Sequence, residues 1–226
     1  MKRHQALLAE IAAEAKATAD YTGRAAFDAR VMTALARVPR HEFVPVAEER
    51  HAYLNNALPL GHGQTISQPY VVALMTDLLD PRPDHSVLEI GTGSGYQAAV
   101  LAELVRQVYS IEVIPELAAE AEERLHRLGY RNVTVKAGDG NAGWPEHAPY
   151  DGIIVTAAAA TVPPALLVQV RNGGRLVIPV DDRVGGNQQL ILIEKSAAGA
   201  TSERRILPVA FVPLVDGQGY HRQRAR

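Results

Sequence analysis

Three glycines within five residues, Gly91-Thr92-Gly93-Ser94-Gly95, follow the apolar run Ser86-Val87-Leu88-Glu89-Ile90 and precede a helical run over 96–104. Strand, tight turn and helix in that order fit an open α/β sheet, with the turn beyond the carboxyl end of the first core strand. Glycine lets the main chain turn tightly and approach a ligand where any Cβ would collide. The alternation continues downstream. Residues 108–112, 133–137, 151–156 and 175–180 read as strands, with helices over 115–128 and 164–170 between them. Residues 189–194 and 206–212 read as final strands, one of them antiparallel. The expected fold class is α/β, with a mostly parallel open sheet and helices on both faces.

Upstream, Leu7, Leu8, Ile11 and Ala15 recur at helical spacing, predicting an amphipathic helix to about Ala19 with a break at Gly23. A second helix is expected over 27–36, stopped by Pro39, with Val31, Leu35 and Val38 inward. The polar, turn-rich stretch 40–69 is too long for an ordinary connection and reads as an appended lobe or functional loop region. A further helix starts at Tyr70. At 226 residues the chain can bury a full core without disulfides, so one domain is expected over 1–226. Residues 1–69 form its helical and substrate-loop extension, and 70–214 its core.

Acidic residues close the ends of the three strands in order. Glu89 stands just before the turn, Glu112 ends the next strand, and Gly138-Asp139-Gly140 ends the third. A carboxylate at the second position can accept both ribose hydroxyl hydrogen bonds of an adenosine ligand, and Asp139 is placed to read the adenine edge. The usual dinucleotide fingerprint wants a glycine at the sixth position of the turn, where this chain has Tyr96. Glu89 would attract an ammonium or sulfonium group and repel a pyrophosphate. The combination therefore favours S-adenosyl-L-methionine over a nicotinamide dinucleotide. Taken singly, each glycine could be a plain turn, Glu112 a solvated strand-end acid and Asp139 an Asx turn; their order along the sheet overturns those readings.

Bulk properties narrow the partners. A formal charge of -2 gives no field for nucleic acid. The first residues fit neither a signal peptide nor a membrane span. Cysteine is absent, which excludes a thiol nucleophile and suits a cytoplasmic setting. The histidines have no compact ligand spacing, so no metal site is expected. No exposed apolar helical seam is evident, and a monomer is expected. The basic end, His221 to Arg226, reads as a solvated terminus.

The segment Gly63-Gln64-Thr65-Ile66-Ser67-Gln68-Pro69, together with 87–96, 138–144, 148–151, 155–159, 173–179 and 211–214, resembles the protein-L-isoaspartate O-methyltransferase family from about Ala26 to Leu214. The glycine turn marks only the wide class of Rossmann-like class I methyltransferases; the Gln64-to-Pro69 segment is the specific part. The resemblance implies that Ser67 is the active-site serine. Glu89, Gly91, Thr92, Gly93, Ser94, Gly95, Glu112, Val113, Asp139 and Gly140 would hold the methyl donor. Gly61, His62, Gly63, Gln64, Thr65, Ile66 and Val212 would form the substrate side. Asp181 and Asp182 stand where the family commonly has a glycine, which alters that loop, whereas Gly185-Gly186-Asn187-Gln188 looks like a segment of some members.

The family's acceptor is the free α-carboxylate of an L-isoaspartyl residue in a protein or peptide. That group is already ionised near neutrality, its ordinary pKa being about 4, so no strong general base is required. Ser67 is then a hydrogen-bond donor that positions the acceptor, or, on local sequence alone, a helix cap before Pro69. No G-x-S-x-G elbow surrounds it, which disfavours a serine hydrolase. Two other functions share the same centre: modification of aspartate in a dedicated peptide, and donor binding by an interaction module without catalysis.

Overall fold

The computed structural model describes residues 2–181 and 187–215, and the strand-turn-helix unit forms where the sequence places it. Strand β3 (Ser86–Ile90) enters the glycine turn and α5 (Tyr96–Ala102) leaves it. Seven strands form one sheet in the order β5-β4-β3-β6-β7-β8-β9. They are β4 (Gln107–Glu112), β5 (Val133–Ala137), β6 (Tyr150–Val155), β7 (Val170–Asp181), β8 (Gln188–Lys195) and β9 (Thr201–Val209), flanking β3. The pairs β3–β4, β3–β6, β4–β5 and β6–β7 are parallel, while β8 runs antiparallel to both its neighbours. Chain order reverses between β3 and β6, because β4 lies on one side of β3 and β6 on the other. Such a switch point opens a crevice at the carboxyl ends of the strands.

Successive side chains on a strand point to opposite faces, and the core divides accordingly. Val87, Ile154, Val177, Leu190 and Leu192 pack with α4 (Pro69–Leu79) and α5 on one face. Leu88, Ile153, Val155, Leu176, Ile178 and Ile191 pack with Trp144, Tyr150 and Leu166 on the other. Leu166 belongs to α7 (Pro164–Gln169), while α6 (Pro115–Arg127) packs on β4 and β5. Burial on both faces explains the nearly unbroken apolar runs of the central strands.

The first helix, α1 (Lys2–Ala17), ends two residues before its expected limit. There the Thr18 hydroxyl donates back to the Glu14 carbonyl (2.9 Å), and a single turn, α2 (Ala19–Thr22), leads to Gly23 in the left-handed region. Helix α3 (Ala29–Arg37) starts where the Asp28 carboxylate caps the Arg30 amide. Leu7 and Ile11 of α1 and Val31 and Leu35 of α3 join the core beneath α4.

Stretch 40–69 holds a feature that its hydropathy pattern conceals. Leu58–Gly61 (β1) and Gln64–Ile66 (β2) form a small antiparallel hairpin, turned by His62 and Gly63, both at positive φ. Positive φ at both central positions is the hairpin geometry that matches strand twist. Residues so short and so rich in glycine carry no alternation to read. The last strand, β9, begins at Thr201 and not at the expected 206, because its first five residues are polar and exposed. A charged start is usual for an edge strand, where it discourages pairing with another chain. Asp182, Gly185, Gly186 and the basic end lie outside the described residues.

Candidate functional site

Both neighbouring strands fix the glycine turn. The Gly91 amide donates to the Ile111 carbonyl of β4 (2.8 Å). From the β6 side, the Thr156 hydroxyl lies 2.6 Å from the Gly91 carbonyl and 3.1 Å from that of Ile90. Gly91 has φ +95°, and a Cβ there would come within 2.4 Å of the Thr156 Oγ1. A Cβ on Gly140 would lie 2.2 Å from a methyl carbon of Ile90. Main chain thus forms the walls of the cleft at both points.

Glu112 supplies the next wall. One carboxylate oxygen accepts from the Gly93 amide (2.7 Å), the other from the Ile114 amide (3.1 Å). The carboxylate has about four acceptor sites and keeps capacity for a further donor, which a ribose hydroxyl can fill. Burial raises the Glu112 pKa from its usual value, and the amides of Gly93, Ile114 and Val113 oppose that rise.

The cleft brings together Gly91, Thr92, Gly93, Ser94, Glu112, Val113 and Gly140 with the substrate-side residues Gln64, Thr65, Ile66, Ser67 and Val212. A second groove shares Thr65, Ser67, Thr156 and Val212 with the first and continues along Glu14, Gln68 and the end of β9. Ser67 stands at the junction. Its hydroxyl makes no hydrogen bond among the described residues, and the N-cap of α4 is Gln68, without a side-chain capping bond. The capping role open to Ser67 on sequence alone is therefore not the one it takes.

Six sequence-predicted residues lie elsewhere. Gly95, in the left-handed region, starts α5, where a Cβ would press on Leu125. Gly61, His62 and Gly63 occupy the exposed end of the hairpin outside both grooves. Asp139 caps its own turn by accepting from the Asn141 amide and side chain, both at 2.9 Å. Glu89 sits beneath the glycine turn, with no exposed surface and no place in the cleft wall. Its side chain is thus placed in the core below the cleft and not among the residues that line it.

Beneath that turn, the Ser110 hydroxyl donates to Glu89, and the Ser110 oxygen lies 2.6 Å from the Thr92 hydroxyl. Burial pushes the Glu89 carboxyl up to about 8; the Ser110 bond counters this and the Glu112 carboxylate adds to it. A folded pKa above the ordinary 4.5 means that the folded chain holds this proton more tightly than the unfolded chain. The resulting stability is complete below the unfolded pKa and is lost as pH rises to the folded one. Glu89→Gln should therefore gain stability relative to the native chain between pH of about 4.5 and about 8, then level off. Urea unfolding of both proteins across that range checks this, and a pH-independent difference would contradict it.

Sequence reasoning missed three contributors. Ser110 gave no signal, since a serine inside a strand reads as filler. Arg40 gave none either, although it is fully buried and its guanidinium donates to the Ser67 carbonyl (2.9 Å). Glu14 belongs to a helix read only for its apolar face, yet it lines the second groove and accepts from Asn55 (2.6 Å).

Residues 18–219 match the sequence model of a family described as protein-L-isoaspartate(D-aspartate) O-methyltransferase. The chain is 60% identical over 214 residues to a protein-L-isoaspartate O-methyltransferase 2 of Syntrophobacter fumaroxidans, covering 93% of this chain and 85% of the relative. It is also 60% identical over 209 residues to a protein-L-isoaspartate O-methyltransferase 1 of Cupriavidus necator, covering 92% and 80%. Among solved structures, a protein-L-isoaspartate O-methyltransferase superposes with a TM-score of 0.81 at 27% identity, over 98% of this chain and 69% of that one. A Plasmodium falciparum structure, titled a putative protein-L-isoaspartate O-methyltransferase in complex with S-adenosyl-L-homocysteine, shares the fold. Its TM-score is 0.76 at 22% identity, over 94% of this chain and 98% of that one.

Proposed function

The chain belongs to the protein-L-isoaspartate(D-aspartate) O-methyltransferase family, and from that premise we propose how its residues divide the work. It is an S-adenosylmethionine-dependent methyltransferase of isoaspartyl residues in proteins, acting in protein repair. The donor supplies an electrophilic methyl group on a sulfonium. The cleft wall of bare main chain at Gly91, Gly93 and Gly140, with the Glu112 carboxylate beside it, fits such a molecule.

In this reading Gly91 to Ser94 carry the amino-acid portion of the donor, Glu112 accepts from its ribose, and Val113 and Gly140 border its base. Gln64 to Ser67 and Val212 shape the acceptor side. Ser67 donates its hydroxyl to the acceptor α-carboxylate and turns one oxygen toward the methyl. Holding reactants in line can supply several kcal/mol, of the order of 7 in favourable intramolecular cases. The methoxy group of the ester leaves far more readily than a carboxylate oxygen, so the neighbouring backbone nitrogen can attack the ester carbonyl, lose its proton, expel methanol and close a succinimide.

The observation that carries this reading is the uncommitted Ser67 hydroxyl at the junction of two grooves. Losing one hydrogen bond to a charged group costs about 1.5–3 kcal/mol, so Ser67→Ala should lower kcat/KM by about 10- to 100-fold. Donor affinity should stay unchanged. The test is methyl transfer to matched peptides carrying L-isoaspartate or L-aspartate, with donor binding measured in parallel. Equal losses in turnover and donor affinity would sink the role of Ser67. Transfer to neither peptide, with donor binding intact, would favour a different acceptor or a pure binding module.

The same reading takes the chain as one domain that acts as a monomer in the cytoplasm, without nucleic-acid or membrane partners. The near-neutral charge and absence of cysteine support it. Among the described residues no helix is long and apolar enough to cross a membrane.

A further inference from the structure

Arg40 is fully buried, and no carboxylate lies within ion-pair distance of it among the described residues. A buried charge without a counter-charge is costly, and native folds rarely keep one without a use. One guanidinium nitrogen donates to the carbonyls of Ser67 (2.9 Å) and Asn56 (3.2 Å). The other two nitrogens have no hydrogen-bond partner. The guanidinium carbon lies 4.8 Å from the centre of the Tyr96 ring, and Tyr96 borders the cleft. Burial pushes the Tyr96 phenol up, so Tyr96 is a neutral neighbour of the guanidinium and brings it no counter-charge.

The position of this charge gives it a use. Ser67, at the junction of the two grooves, is bonded through its carbonyl to Arg40, and Asn56, which Arg40 also bonds, lines the second groove. Whatever occupies the acceptor side of Ser67 therefore feels an unpaired positive charge through low-dielectric protein, where screening by salt is weak. An anion gains from that field and a neutral group of the same shape does not.

We propose that Arg40 is a positioning residue that selects an anionic acceptor: its guanidinium holds the Asn56 and Ser67 main chain in place, and its uncompensated charge favours a carboxylate beside Ser67. This rests on the activity proposed above and adds a source for its discrimination. A hydroxyl can hydrogen-bond a carboxylate and a carboxamide, the charged one more strongly, and the Arg40 charge adds to the preference that Ser67 begins.

The test compares two peptides of one sequence, an isoaspartyl peptide with a free α-carboxylate and its isoasparaginyl counterpart with an α-carboxamide. Their affinities are measured with S-adenosylhomocysteine present, for the native enzyme, Arg40→Lys and Arg40→Met. The native enzyme should prefer the carboxylate, and Arg40→Met should reduce that preference by about tenfold, the order expected for a unit charge about 12 Å away at an effective dielectric constant of about 20. Arg40→Lys, which keeps the charge, should hold the preference within about threefold. An Arg40→Met enzyme that binds both peptides more weakly by one common factor overturns the proposal, leaving Arg40 a purely mechanical clamp.

Should Arg40→Met fail to fold, the native enzyme alone still decides. Its preference should survive a change from about 50 mM to about 500 mM salt if a buried charge sets it, and a collapse would assign it to surface charges instead. A native enzyme that transfers no methyl to the isoaspartyl peptide overturns the proposed activity itself, an outcome distinct from an unchanged ratio in an active enzyme.

Discussion

Replacing Glu112 with alanine is expected to weaken S-adenosylmethionine binding by about 100-fold, the equivalent of two lost hydrogen bonds to a charged group at about 1.5 kcal/mol each. Its two oxygens accept the main-chain amides of Gly93 and Ile114, and the carboxylate keeps acceptor capacity for the ribose. Alanine removes both acceptors and leaves those two amides without their partner. The loss should therefore appear twice, as weaker affinity and as a lower urea midpoint in the free protein. Calorimetric titration with S-adenosylhomocysteine measures the first, and urea unfolding the second. An affinity loss below about threefold would mean that the ribose is held elsewhere.

Gly91→Ala carries the largest expected loss of stability, about 3 kcal/mol, because two costs coincide. The residue has φ +95°, which L side chains rarely adopt, and its Cβ would stand 2.4 Å from the Thr156 Oγ1. Thr156 cannot turn away freely, since its hydroxyl is held at the Ile90 and Gly91 carbonyls. Combining Gly91→Ala with Thr156→Ala separates the terms. The clash disappears and the backbone strain remains, so roughly half of the loss should return. A Gly91→Ala protein that unfolds within about 0.5 kcal/mol of the native midpoint would show that the turn can relax at no cost.

The parallel centre of the sheet was legible because burial on two faces writes itself as apolar runs. The strands at 86–90 and 133–137 coincide with β3 and β5, β4 differs from expectation by one residue at one end, β6 and β8 by one at each end, and β7 starts five residues early. Elsewhere the signal was different in kind. The first five residues of β9 are exposed and polar, so their strand conformation comes from pairing with β8, which no local pattern announces. The β1–β2 hairpin is too short to alternate. At the site, Gly91 to Ser94, Glu112 and Ser67 were readable from their order along the strands and from the family resemblance. The depth of Glu89 in the core was not legible, because sequence gives the strand end but not how far a side chain lies from the surface. Arg40 and Glu14 are far from Ser67 in sequence and come near it only through the fold of the N-terminal extension.

The anchoring of the glycine turn to Ile111 on one flank and Thr156 on the other has a kinetic corollary. A receptor that is already in shape spends none of its association free energy on ordering chain. Methyl-donor capture should then follow simple one-step kinetics, with differences among donor analogues falling mainly on their residence times.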